Sequence, residues 1–264
     1  MFNLWQGSRC RFRSSPWTGS RFRRRSAILA IVLTVSLCAV SVLGSTVSRT
    51  YQWLFQDRYF TLTHGFSLER YRYFQTLPRI AAYSQYSAYI TDSHDDDELA
   101  FLVAELEKAA RSANLNVWEK LNLIIAFVQS IPYVPEPEEY ARYPLETLIE
   151  QKGDCEDSSI LTAAILHQMG YHMVLLVFLE EQHIAAGISV LPPIPGNYRS
   201  YRYAGRDYYY VETTCEGWQI GIIPQRYTST PEIVALDQRI LGLSNPQVWS
   251  FGEESAAQSP HLSQ

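Results

Sequence analysis

The chain has 264 residues, of which 47% are hydrophobic and 13% aromatic, so it carries enough apolar side chains for a packed core. Eight of its 22 Lys and Arg residues lie before residue 51, and all 27 Asp and Glu residues lie after it, which leaves the remainder with a net charge of −13. Nucleic acid would repel such an acidic domain, and we therefore do not expect nucleic-acid binding. Four cysteines are too few for a disulfide scaffold.

The N-terminal segment is predicted to be a membrane anchor. Ala27–Val47 is 21 residues long without a charged side chain, and about 20 helical residues span a bilayer core. The basic tail, residues 1–26, should remain in the cytoplasm and direct the following chain outside. A cleaved signal peptide is the alternative, but its apolar core usually has only about 7–15 residues. The expected location is the plasma membrane, with a single pass and an exterior or periplasmic C-terminal domain.

The exterior part is predicted to comprise an aromatic-rich strand or hairpin extension over 51–94, a folded domain over 95–243 and a disordered tail over 252–264. A helix should begin near Asp95, because the acidic run at 94–98 suits a helix N-terminus. The same run lacks the alternate spacing of a calcium-binding loop.

Helical spacing predicts a second helix over Asn116–Gln129, then a proline-rich loop over 131–144 and a short helix over 145–150. The next predicted helix, Glu156–Met169, ends at Gly170 and is apolar on almost every side. A helix of this kind is expected at the centre of a domain.

The pattern then changes to strands, predicted over Tyr171–Leu179, His183–Leu191, Tyr208–Thr214 and Gln219–Ile223. A last helix is predicted over Pro231–Leu241. Helices followed by sequential strands indicate an α+β domain, in which an antiparallel sheet packs against the central buried helix.

Cys155 stands at the start of that central helix, within Gly153-Asp154-Cys155-Glu156-Asp157. The helix dipole and the unpaired backbone N–H groups at a helix start lower a thiol's pKa and can bind an oxyanion. A nucleophilic thiol also needs a base and a group that orients the base. His183 opens the second predicted strand and Glu212 lies in the third, and neighbouring strands can place both over the helix start.

At these residues the sequence resembles the transglutaminase-like superfamily of papain-fold cysteine enzymes, over about Trp118 to Pro224. The strongest parts are Tyr-Pro-Leu-Glu-Thr-Leu at 143–148 and Gly-Asp-Cys-Glu-Asp at 153–157. The resemblance implies a papain/transglutaminase-like fold with Cys155 as nucleophile and His183 as general base and acid. The family's third residue is usually an aspartate in an Asp-Pro-Thr-like context, and Glu212 occupies that place here.

The resemblance leaves several assignments open. An aromatic residue often follows the family's histidine, whereas Ile184 follows it here. A side-chain oxyanion donor would come from Gln129 or Tyr133. Asp207 is the alternative to Glu212 as the orienting group, while His167 and His172 are expected to be structural.

Cys155 itself has two further interpretations. It could form a disulfide with Cys215, or it could be a buried small residue. The neighbouring acids raise a thiol's pKa, and they are either helix caps or ligands of a calcium ion that would reverse this effect. These acids are Asp154, Glu156 and Asp157.

The favoured hypothesis is an anchored cysteine peptidase or amide hydrolase that acts through a thioester on a peptide or protein of the cell envelope. Apart from calcium, no cofactor is predicted. Amine transfer, which would cross-link proteins, is the alternative within the same chemistry. A non-catalytic envelope binding or scaffold module is the alternative from another class, and the sequence does not specify an oligomeric state.

Overall fold

The computed structural model of the protein describes residues 45–136, 140–191 and 197–236. No helix within these three ranges is both long and apolar enough to cross a membrane. The predicted tails, 1–26 and 252–264, lie outside the described residues. The predicted anchor Ala27–Val47 also lies outside them, except for its last three residues. Of those three, Thr46 and Val47 belong to a β-strand.

The first element is an antiparallel hairpin of β1 (Thr46–Phe55) and β2 (Arg58–Ser67). Its two turn residues, Gln56 and Asp57, both have positive φ, as the tight turns that suit twisted hairpins require. The hairpin packs on the rest of the fold through Tyr51, whose ring lies 5.1 Å from that of Phe127 and whose hydroxyl donates to a backbone carbonyl at 2.6 Å. The predicted aromatic extension is therefore part of the packed body.

Six helices follow or interleave with the strands in the described residues. Some of these helices begin with a capping box, in which side chains bind the unpaired backbone N–H groups of the first turn. Asn116 and Glu119 form one box, and Asp154 and Asp157 form another. The predicted helices near Asp95, over 116–129, near 145–150 and over 156–169 are confirmed to within two residues. The bounds are α1 (Leu68–Thr76), α2 (Ser87–Ile90), α3 (Asp96–Ser112), α4 (Val117–Gln129), α5 (Pro144–Glu150) and α6 (Cys155–Gln168).

A five-stranded sheet forms the second layer, with the order β5-β6-β4-β3-β7 and antiparallel pairing throughout. Helix α6 packs against β3 and β4, and every residue from 157 to 166 in it is buried, which confirms the central helix and the α+β class. The strands are β3 (His172–Phe178), β4 (His183–Ser189), β5 (Ser200–Tyr203), β6 (Arg206–Val211) and β7 (Glu232–Ala235).

Two predictions at the C-terminal side were wrong, and one strand was missed. The helix predicted over Pro231–Leu241 is replaced by β7, whose residues Ile233 and Val234 suit a strand and complete the sheet against β3. The strand predicted over Gln219–Ile223 is instead a turn, in which Gly221 has φ +81° and packs directly on Tyr198. Strand β5 was not predicted, because four residues give too short a pattern.

Candidate active site

Cys155 is the first residue of α6, immediately after the N-cap Asp154. Its thiol is half-buried and donates to Oε2 of Glu156 at 3.3 Å. The backbone N–H of Ile184 also faces the sulfur. The nucleophile candidate therefore lies directly against the first residues of β4.

The surroundings of this thiol favour its protonated form. Burial raises the pKa of Cys155 well above its usual value, and the charges of Glu156 and Asp154 raise it further. The Ile184 N–H lowers it, but less strongly. In the resting site, the proton therefore stays on sulfur.

His183 begins β4 and is buried. Its Nε2 lies 3.6 Å from Oε2 of Glu212, which is beyond hydrogen-bonding distance but close enough for an electrostatic contact. The imidazole also stacks on Tyr227, with ring centroids 4.4 Å apart and planes inclined by 12°. These two contacts fix where the histidine lies in the site.

Glu212 follows the last residue of β6 and is 1% exposed. Its carboxylate accepts hydrogen bonds from the hydroxyls of Tyr210 and Thr214, both at 2.7 Å, and from the backbone N–H groups of Thr213 and Thr214. Burial alone would raise the pKa of Glu212, but the nearby His183 and these donors lower it to about 2. The group facing His183 is thus a fixed negative charge.

Ser159 joins the elements that carry these three side chains. The pairing of β4 with β6 ends at Ala186 and Val211, and beyond that point the fully buried Ser159 of α6 fills the gap. Its hydroxyl lies 3.0 Å from the carbonyl oxygen of Ile184 and 3.1 Å from Oγ1 of Thr213. One helical turn after Cys155, this serine binds the helix to the residues that follow His183 and Glu212. Sequence reasoning missed it, and the signal was a polar residue in an otherwise apolar helix.

Residues 96–193 match a family model described as transglutaminase-like domain. Within this region the chain is therefore similar to transglutaminase-like domains. The matched region includes Cys155 and His183 and ends before Glu212.

The structure is also similar, at low identity, to solved proteins. Calcium-bound LapG of Legionella pneumophila is 15% identical with a TM-score of 0.33, over 63% of this chain and 80% of that chain. The EGTA-treated LapG has the same identity and TM-score, over 63% and 78%. A Cytophaga hutchinsonii protein, provisionally assigned as a cysteine protease, is 13% identical with a TM-score of 0.37, over 72% and 68%. No curated protein sequence matches the chain.

The start of α6 is held by Arg142, which is 2% exposed. The backbone N–H and Nη1 of this arginine donate to the two carboxylate oxygens of Asp157 at 2.7 and 2.6 Å. The same guanidinium binds Glu150 at 3.0 Å and also contacts Glu136. Arg142 thus ties the helix start to α5 and to the preceding loop, a role that the sequence did not indicate.

This arrangement bears on the three acids considered as calcium ligands. Asp157 is committed to Arg142, and Asp154 caps the helix by accepting from the Asp157 N–H at 3.4 Å. Within the described ranges, no group of three or more His, Cys, Asp or Glu side chains could hold a metal ion. As they lie in this structure, Asp154, Glu156 and Asp157 do not form such a group, and calcium binding by these three acids stays a prediction.

The two oxyanion candidates differ in their surroundings. Gln129 uses both protons of its amide, because Nε2 donates to the carbonyl oxygens of Glu212 at 2.8 Å and Trp218 at 2.9 Å. It therefore anchors the segment after Glu212 and has no proton left for an oxyanion. Tyr133 pairs with Gly153 through the backbone, and its hydroxyl is close enough to Cys155 for an electrostatic interaction with the thiol. Tyr133 is the candidate that remains.

The other sequence alternatives lie away from this arrangement. Cys155 and Cys215 do not form a disulfide with each other in this structure. Asp207 is near the opposite end of β6 from Glu212 and forms an ion pair with Arg202 at 3.1 Å. His167 lies in the last turn of α6, and His172 pairs with Ser189 at the end of β3 and β4 remote from His183. Burial lowers the pKa of both histidines.

Proposed function

We propose that this chain is a membrane-anchored cysteine hydrolase that cleaves peptide or isopeptide bonds of envelope proteins outside the cytoplasmic membrane. One observation carries the chemical part of the proposal: the thiol of Cys155 lies against the N–H of Ile184, and the preceding His183 faces the ionised Glu212. The sequence of Ala27–Val47 supports the anchor.

In this mechanism His183 removes the thiol proton as the sulfur attacks the substrate carbonyl. Since Nε2 faces Glu212, Nδ1 is the ring nitrogen that takes the proton. The negative charge of Glu212 stabilises the resulting imidazolium. The imidazolium then protonates the leaving amine, and a thioester remains on Cys155.

The charge on the tetrahedral oxygen is stabilised at the start of α6. The backbone N–H of the first residue of a helix has no partner within the helix, so that of Cys155 can donate to the oxyanion. The Tyr133 hydroxyl is the proposed second donor. Water then attacks the thioester, with His183 as base, and restores the thiol. An amine in place of water would give cross-linking.

The test is the rate at which iodoacetamide alkylates Cys155 between pH 5 and 9 in the full-length protein, with the Cys155 peptide followed by mass spectrometry. Replacing His183 with Ala should lower this rate at pH 7 by at least about tenfold, because the base is removed. Cys155→Ala provides the blank, and each series is run with calcium and with a chelator. An alkylation rate that depends on calcium would support the predicted calcium site.

The alkylation series is followed by hydrolysis of a fluorogenic peptide library, with and without an added amine. Cleavage lost in Cys155→Ala supports the hydrolase, and amine incorporation instead of cleavage supports the cross-linking alternative. A thiol that stays inert under every condition, or a rate unaffected by His183→Ala, would overturn the enzyme and favour the binding module.

A further inference from the structure

The loop at 224–229, which we call the strap, crosses the surface beside His183 and has an unusual exposure pattern. Its residues Gln225, Arg226 and Thr228 are exposed, whereas Tyr227 between them is only 8% exposed. The turn is closed by the Tyr227 N–H, which donates to the Pro224 carbonyl at 3.0 Å. Tyr227 is thus turned inward between exposed neighbours on both sides.

Tyr227 belongs to a series of packed aromatic rings that extends from the His183 imidazole to the Glu212 carboxylate. Its ring stacks on the imidazole of His183 and also on the ring of Phe178, with ring centroids 5.7 Å apart in the second pair. Phe178 packs edge-on against Tyr210 at 6.0 Å, and the Tyr210 hydroxyl binds Glu212. The ring that touches the imidazole and the hydroxyl that holds the carboxylate therefore belong to one packed unit.

The stacking contact has a specific task, because Nε2 of the imidazole lies too far from Glu212 for a well-formed hydrogen bond. Among the described residues, Nε2 of His183 has no hydrogen-bond partner, and its 3.6 Å separation from Glu212 is an electrostatic contact that tolerates rotation of the ring. A parallel aromatic ring at 4.4 Å restricts that rotation. The plane of the base is therefore set by Tyr227.

The strap is attached by Glu181, in the turn just before His183. One carboxylate oxygen of Glu181 accepts from the backbone N–H groups of Thr228 at 2.8 Å and Ser229 at 2.9 Å, and the other contacts the Ser229 hydroxyl. These donors lower the pKa of Glu181 to about 2, so the carboxylate is ionised at any physiological pH. The attachment is thus a set of charge-assisted bonds to the strap's backbone.

We propose that the strap, held by Glu181, is a positioning device that presses Tyr227 against His183 and fixes the imidazole plane between Glu212 and Cys155. This inference rests on the proposed function, since it assigns Tyr227 and Glu181 to the orientation of the proposed base. Neither residue touches the reacting atoms, so both are positioning residues.

The test uses the full-length protein with Tyr227→Phe, Tyr227→Leu and Glu181→Ala, and Glu180→Ala as the control for an exposed neighbouring glutamate. Three quantities are measured: the pH profile of Cys155 alkylation, the nitrogen NMR titration and tautomer signals of His183, and hydrogen exchange at the Thr228 and Ser229 amides. Melting temperatures are recorded for all variants.

Tyr227→Phe keeps the stack and should stay within about twofold of the parent rate, whereas Tyr227→Leu should lower it about tenfold, because small misplacements of a catalytic group cost up to about 100-fold. The Leu variant should also change the His183 titration and average its tautomer signals. Glu181→Ala should accelerate exchange of both strap amides about tenfold and lower the alkylation rate by a smaller factor. Glu180→Ala should change neither.

The inference is overturned if Tyr227→Leu melts earlier but keeps the parent titration and rate, since Tyr227 is then only a packing residue. If that variant does not fold, Glu181→Ala decides, because it removes surface contacts alone. The two hypotheses fail in different ways. If only the role of the strap is wrong, His183→Ala still slows the alkylation of Cys155. If the proposed enzyme activity is wrong, His183→Ala does not slow it.

Discussion

Glu156 is the residue whose replacement should most increase the reactivity of the thiol. Its Oε2 accepts the thiol proton at 3.3 Å, and its negative charge is, after burial, the largest influence that raises the pKa of Cys155. Glu156→Gln keeps the shape and an acceptor oxygen but removes the charge. The pKa of the thiol should therefore fall, since a thiolate beside a neutral amide is not repelled.

The size of the change follows from the distance. Two unit charges 3.3 Å apart interact by about 5 kcal/mol at an effective dielectric constant of about 20 and by about 1 kcal/mol in bulk water. Glu156 is half-buried, so solvent screens its charge and the lower figure applies. Because one pKa unit corresponds to about 1.4 kcal/mol, we expect the thiol pKa to fall by about one unit.

The alkylation rate should rise by less than this shift suggests. One unit gives about tenfold more thiolate below the pKa, but nucleophilicity falls with a Brønsted slope of about 0.4–0.5, which leaves a net gain of about three- to fourfold. The pH–rate profile of iodoacetamide labelling at Cys155 measures both effects, with Glu69→Gln as a control that removes an exposed charge on α1. A midpoint that stays fixed or moves to higher pH in Glu156→Gln would refute the reasoning.

Three further predictions concern the framework. Ser159→Ala should lower the free energy of unfolding in urea by about 1–3 kcal/mol, because the Ile184 carbonyl loses its buried partner, and Ser158→Ala should cost clearly less. Arg142→Leu should lower the free energy of unfolding by about 3–5 kcal/mol in the same assay, because it leaves buried carboxylates unpaired. An equal loss of stability on replacing a surface arginine would contradict this reasoning. Burial raises the pKa of Asp95 from 3.8 to about 8, so its stabilising effect is complete below about pH 4 and is lost as the pH rises to 8. Asp95→Asn should therefore melt higher than the parent at pH 8 and equally at pH 4, and parallel melting curves across this range would exclude the effect.

The parts of the fold that the sequence predicted well are those with strong local signals. Helix α6 was found because its apolar residues leave no polar face and Gly170, with φ +87°, ends it. By contrast, β7 and the turn at 219–223 depend on distant partners. Ile233 and Val234 become a strand because β3 offers them an open edge, and no periodicity within four residues can show that.

The site shows the same division. Cys155 and His183 stood at the starts of predicted elements and Glu212 in a predicted strand, so their proximity could be predicted from neighbouring strands packed over a helix start; the structure places His183 beside Glu212 and Cys155 beside Ile184. Ser159 and Arg142 could not be inferred in this way, because their roles depend on which chain segments meet around the start of α6. A polar residue inside an apolar helix signals that a buried partner exists, but the partner's identity is a property of the tertiary fold.

The charges around the site determine how the proposed nucleophile is activated. A standing thiolate–imidazolium pair requires a low thiol pKa, whereas burial, Glu156 and Asp154 all raise the pKa of Cys155. Glu212 is meanwhile ionised and ready to stabilise a positive imidazole, so His183 gains a proton most easily at the moment the sulfur gives it up to attack. In the proposed mechanism we therefore expect proton transfer and attack to be concerted, with a protonated thiol in the resting site. Since thiolates and not thiols react with oxidants, the acids that raise the pKa of the proposed nucleophile would also protect it in the oxidising exterior compartment that we propose for this domain.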